Sequence, residues 1–175
     1  MLNEGDNAPA FSARPIFGAP IVIPGADPRP LVLAFVGSLA SPFTRRWLSM
    51  LQERFADFDR SGARVAAIAR ADEIAAQDFV PRFHLLFPLA VDPDGDIAAQ
   101  YGVGVDRMLL GSLRHGLLGE LRGALGHGVG WGRGSIRTLP AAFVIRGSTI
   151  ESVSYSKSIS DTPDMEALIR CAAPS

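Results

Sequence analysis

The stretch "LVLAFVGSLASPFTRRWLSML", Leu31 to Leu51, decides the fold. Its first part, Leu31 to Gly37, is a continuous apolar run, the pattern of a central strand buried on both faces. A helix follows. Ser41 is a good N-cap and Pro42 suits the first helical position, while Trp47, Leu48, Leu51, Phe55 and Phe58 recur on one apolar face. Arg45, Arg46, Gln52, Glu53 and Asp57 fall on the other faces. Some folds use this strand, turn and helix to hold a reactive cysteine at the helix's first turn. No cysteine occurs in the stretch.

Outward from it, segments of strand and helix character alternate. A short strand is expected at Ile21 to Ile23, and "RVAAIAR" (Arg64 to Arg70) reads as a second long strand, reached through the Ser61-Gly62 turn. "ADEIAAQDFVPRF" reads as a helix that ends near Pro81. "FPLAVD" (Phe87 to Asp92) is a short strand, and Ile97 to Tyr101 make one or two helical turns after the "DPDG" turn. The βαβα succession implies a parallel central sheet. From Asp106 to Gly134 the pattern changes: Leu110, Leu113, Leu117 and Leu121 keep helical spacing but are interrupted by glycine, as expected of an inserted helical segment ending in a mobile Gly-rich loop. "LPAAFVIRG" and "TIESVSYSK" then form a hairpin about Gly147-Ser148. A last helix starts from Thr162, with Pro163 and acidic residues in its first turn. Its inward stripe is Met165, Leu168, Ile169 and Ala172, with the partly buried Cys171 beside it. The order βαβα, then ββα, describes one α/β domain, residues 1–175, with a thioredoxin-like sheet flanked by helices and an insertion at 106–134.

Composition narrows the function classes. The 175 residues are 47% hydrophobic and 20% charged, enough for a real core, and the formal net charge of -1 gives no broad field for nucleic acid or an acidic membrane. No apolar run reaches the roughly 20 residues of a spanning helix. The opening "MLNEGDNAPAF" lacks a basic region followed by an apolar one, so a cytoplasmic location is expected. Cys171 is the one cysteine, which excludes an intrachain disulfide and a multi-thiolate metal site. His84, His115 and His127 have no short regular spacing, so no metal is expected. "GHGVGWGRG" has neither the strand leading in nor the Lys-Ser/Thr helix leading out of a phosphate loop. No cofactor is expected.

In order and spacing, "EGDNAPAF", "LVLAFVGSLASPFTRRWLSML", "GARVAAIAR", "FPLAVDPDGDIAAQYGV" and "LPAAFVIRGSTI" resemble the peroxiredoxins, the superfamily of alkyl hydroperoxide reductase and thiol-specific antioxidant proteins. The resemblance covers nearly the whole chain outside 106–134, with the late "SDTPDMEALI" most like the peroxiredoxin-like branch. It implies a thioredoxin fold, peroxide-reducing chemistry and a dimer. In that family a P-x-x-x-T/S-x-x-C loop ends in the cysteine that attacks peroxide. Carried over, Ser41 takes the Thr/Ser position and Thr44 the cysteine position.

A thiolate is favoured there by free amide hydrogens and the helix macrodipole. A threonine hydroxyl ionises far less readily and would need a general base, and no G-x-S-x-G elbow or ordered relay accompanies it. The expected function is therefore a redox-inactive peroxiredoxin-like protein whose vacated site, edged by Ser41, Thr44 and either Arg46 or Arg137, takes a small anion or polar metabolite. The family's arginine position falls at or beside Pro140, so Arg137 is an imperfect match. Pro140 itself aligns with the proline that thioredoxin-like folds hold in the cis form; a trans proline at a strand's first residue is equally compatible, and cis is preferred. Two rival readings stand beside this one: an oxidoreductase that uses Cys171 through intermolecular thiol-disulfide exchange, and a partner-docking domain that uses the leucine stripe of the insertion.

Overall fold

The computed structural model describes residues 1–104 and 138–173. The insertion 106–134, with its leucine stripe and Gly-rich loop, and Arg137 lie outside the described residues. In chain order the elements are β1 (Phe11–Ala13), β2 (Ile21–Ile23), β3 (Leu31–Val36), α1 (Pro42–Glu53), α2 (Phe55–Arg60), β4 (Arg64–Ala69), α3 (Glu73–Phe83), β5 (Leu89–Val91), α4 (Asp96–Gln100), β6 (Ala141–Arg146), β7 (Thr149–Tyr155) and α5 (Met165–Ala172).

The sheet order is β5-β4-β3-β6-β7. β3 pairs parallel with β4 and antiparallel with β6, β4 pairs parallel with β5, and β6 and β7 form the hairpin. Gly147 supplies its turn with φ 62°, a conformation that costs glycine nothing. This is the mixed thioredoxin-like sheet that the order of elements implies.

β3 reads as an uninterrupted apolar run because both of its faces are covered. Val32, Ala34 and Val36 pack with Trp47, Leu48 and Leu51 of α1, Phe58 of α2 and Leu168 of α5. Leu31, Leu33 and Phe35, the alternate residues, pack with Ile21, Ile23, Tyr101 and Phe143 on the other face. Tyr101 has ring contacts with Phe11, Phe35 and Phe143 at centroid distances of 5.8, 5.1 and 5.1 Å. Its hydroxyl donates to the Pro9 carbonyl, and burial raises its pKa.

Three expectations need correction, and one strand is additional. The helix after Ser41 is two helices, broken at Arg54, although Trp47, Leu48, Leu51 and Phe58 still share one buried face. α3 continues through Pro81 and ends at His84, whose φ of 48° turns the chain out of the helix. α5 starts at Met165: Asp164, not Thr162, caps it, accepting hydrogen bonds from the amides of Glu166 and Ala167. β1, antiparallel to β2, was not anticipated; a three-residue strand with one exposed position carries too little alternation to register.

Candidate functional site at the start of helix α1

β3 delivers the chain at Val36 to a short loop that turns into α1. Within the loop the Ser38 hydroxyl accepts from the Ala40 amide at 3.3 Å, and the Ser38 carbonyl accepts from the Ser41 amide at 2.9 Å. Ser41 is the N-cap by position, with the extended backbone that position needs (φ -70°, ψ 131°), and its carbonyl accepts from the Arg45 amide. Its side chain makes no capping bond, contrary to the expected role. Pro42, the first helical residue, has no amide hydrogen to cap. Thr44 is the third residue of the helix and is 5% exposed.

Of the two arginines that follow, Arg45 is the one tied to the loop. Its Nε donates to the Leu39 carbonyl at 3.1 Å, and its guanidinium lies 5.7 Å from the centroid of the Phe83 ring. Arg46 is exposed and makes no hydrogen bond among the described residues, so the outer-face reading suits it better than a role at the pocket.

The segment before β6 reaches the same end of the sheet. Ala141 pairs with Phe35, so Thr138 to Pro140 run beyond the C-terminal end of β3. Pro140 is buried and its carbonyl accepts from the Ser156 amide at 2.9 Å. Ile23–Pro24 is the one cis peptide among the described residues, so the bond preceding Pro140 is trans, correcting the cis expectation. Thr138 is 4% exposed, and its hydroxyl oxygen is buried without a hydrogen-bond partner among the described residues. One turn along α1 from Thr44, the fully buried Trp47 has an equally unpartnered indole N–H.

The structure thus brings Ser41, Thr44 and Pro140 to one end of the sheet. Ser38, Arg45 and Thr138 join them without a sequence signal that separates them from ordinary loop and surface residues. His84 does not approach as a base: its backbone meets Gln52, which follows Thr44 by about 12 Å along the helix axis. Among the described residues no group of three His, Cys, Asp or Glu is placed to hold a metal ion. Cys171 is exposed on α5, not partly buried as expected.

Chemically, the site offers hydroxyls and helix-terminal amides without a thiol. The sheet and the helices around it are those of a thioredoxin-like fold. The chain belongs to the AhpC/TSA family, whose pattern matches residues 5–151. It is 28% identical to the thiol-disulfide oxidoreductase ResA of Bacillus thuringiensis over 103 residues, 58% of this chain and 59% of that protein, so it spans about three fifths of the length of this relative. In structure it is similar to peroxidoxin BcpB of Mycobacterium tuberculosis (TM-score 0.70, 20% identity, 98% and 97% of the two chains) and to a peroxiredoxin-like protein of Aquifex aeolicus (TM-score 0.70, 19% identity, 98% and 86%). A thiol:disulfide interchange protein DsbE of Chlorobium tepidum has a TM-score of 0.66 at 18% identity, with 98% and 99% covered.

Proposed function

We propose that this protein keeps the peroxiredoxin-like fold without thiol peroxidase activity and uses the start of α1 to bind a small anion or polar metabolite. The observation that carries the reading is Thr44, buried in the first turn of α1 where the family resemblance calls for the attacking cysteine. A helix terminus retains free amides and partial positive charge whatever side chain follows, so loss of the thiol leaves an anion-favouring environment. The buried hydroxyl of Thr138 in the neighbouring segment, without a partner among the described residues, adds a donor still to be satisfied. Of the two arginines expected at its edge, Arg46 or Arg137, the exposure of Arg46 on the outer face of α1 leaves Arg137 as the proposed one. The proposal places the protein in the cytoplasm, as a homodimer, with no nucleic-acid or membrane partner; no described helix is long and apolar enough to cross a membrane.

One observation favours a second reading. Cys171 is exposed, so its thiolate has the access needed to attack the sulfur of an external disulfide, forming a mixed disulfide and releasing the other half as a thiolate.

Two assays separate the readings: consumption of hydrogen peroxide and an organic hydroperoxide with dithiothreitol as reductant, and thiol-disulfide exchange with glutathione disulfide. The proposal expects no turnover above the buffer control. Turnover that disappears in Cys171→Ser moves the chemistry to α5; turnover that survives it overturns the proposal. Binding is read by amide shifts of residues 41–46 with sulfate, phosphate and acetate. Those amides move first and saturate if the site is here, and remain still at millimolar ligand if it is not.

A further inference from the structure

At the end of the sheet where β3 and β4 begin lies a cavity of about 290 Å³, walled by Ile21, Leu31, Phe55, Val65 and Pro88 and rimmed by Asp27, Arg29, Asp59 and Arg64. It is separate from the start of α1. β3 enters beside it at Leu31 and leaves at Val36, a run of roughly 16 Å, before the chain turns into the helix.

The charged rim is unevenly engaged. Asp27 is committed to Arg29: one carboxylate oxygen accepts from the Arg29 amide at 3.0 Å and from Nε at 3.1 Å, and the other accepts from Nη2 at 2.8 Å. These bonds hold Asp27 well below the usual carboxylate range, so it stays ionised and Arg29 stays occupied. Arg64 shares the same carboxylate less closely: its buried Nε forms an ion pair with Asp27 at 3.4 Å without making a hydrogen bond. Its side chain is 30% exposed, and its terminal nitrogens donate to nothing among the described residues. The end of the fork, the edge that matches a carboxylate bidentately, is partly exposed, with Nη2 lying beside Gly25. Asp59, exposed on α2, is the remaining acid on the rim. Below the charges the wall is apolar, and at the mouth Val22 is 41% exposed.

We propose that this cavity binds a small monocarboxylate with an apolar body, its carboxylate across the terminal nitrogens of Arg64 and its body against Phe55, Ile21 and Leu31. At a water's share of roughly 30 Å³ the cavity takes about ten non-hydrogen atoms, the size of an arylacetate. The paired acid and base beside Arg64 cancel locally, so recognition rests on the geometry of one partly exposed fork over an apolar wall, and a divalent inorganic anion lacks the surface to use that wall.

Phenylacetate is the probe and phenylacetamide its neutral counterpart, each titrated into the full chain while amide shifts are followed. Saturable shifts are expected at residues 19–22, 31 and 63–66, with phenylacetamide weaker by about tenfold or more because it forgoes the charge-assisted pair. Arg64→Gln is expected to bring phenylacetate down to the affinity of the amide and to leave the amide unchanged. Arg64→Lys, which keeps the charge and the aliphatic stem, gives an intermediate affinity and serves if Arg64→Gln fails to fold. No saturation at millimolar phenylacetate, equal affinity for acid and amide, undiminished binding to either Arg64 variant, or shifts confined to residues 41–46 would each overturn the assignment.

Discussion

Thr44 concentrates the functional question in one side chain. It is buried at the third position of α1, where two influences on an ionisable group oppose each other: the free amides and macrodipole lower the pKa of an acid, and burial raises it. Thr44→Cys in a Cys171→Ser background measures their balance directly. The helix terminus is expected to prevail, giving a thiol that titrates below the unperturbed value of about 8.5. Thiolate absorbance or alkylation rate against pH reads it, and a value at or above 8.5 would mean that burial dominates. Thr44's position was legible from the Ser-Pro turn and the helical spacing behind it. The division of labour between Arg45 and Arg46 was not, because it depends on the Leu39 carbonyl and on the Phe83 ring at the end of another helix.

At the scale of elements, two helix starts make an instructive pair. Ser41 and Asp164 both hold the N-cap position with extended backbone, but only Asp164 accepts amide hydrogens through its side chain. Asp164→Ala is expected to cost about 1 kcal/mol, the usual worth of a cap. Ser41→Ala is expected to cost well under that, since no capping bond is lost. Chemical denaturation of the two variants checks the order; equal losses would mean that Ser41 caps α1 in solution. Long elements were readable for reasons of period: β3 is apolar throughout because both faces are covered, and the α1 stripe persists even across the break at Arg54. Boundaries were harder. Pro81 signals a stop, yet α3 continues for two residues and closes at His84, where backbone hydrogen bonds to Pro81 and Val80 end the helix. The last helix, expected from Thr162, starts at Met165 with Asp164 as its cap, and Pro163 and Met165 are buried at that boundary. The cavity beside Arg64 left no sequence trace, since its walls and its charged rim are assembled from β2, β3, β4, α2 and the loop that carries Asp27 and Arg29.

Across the whole molecule, the junction of α1 with α2 is tied to α5 through a shared set of charges. Arg54 pairs with Asp57 one turn ahead and donates to Glu166 of α5 at 2.6 Å, while Arg60 also pairs with Asp57. Hydrogen bonding from Arg54, with the charges of Arg54 and Arg60, holds the Asp57 carboxyl below its ordinary value of 3.8. Because the folded pKa lies under the unfolded one, protonation favours the unfolded chain. The contribution is fully present above pH 4 and is lost as pH falls through the folded value. Tm should therefore decline on acidification from pH 5 toward pH 2, and Asp57→Asn should lower Tm near neutrality while flattening that decline. The comparison of slopes is the decisive reading, since a lower Tm alone follows from any lost contact. If wild type and Asp57→Asn lose Tm in parallel below pH 4, the Arg54 network does not couple α5 to the rest of the fold through Asp57, and acid unfolding begins elsewhere, with the Asp27 carboxylate beside the Arg64 cavity the next group to substitute.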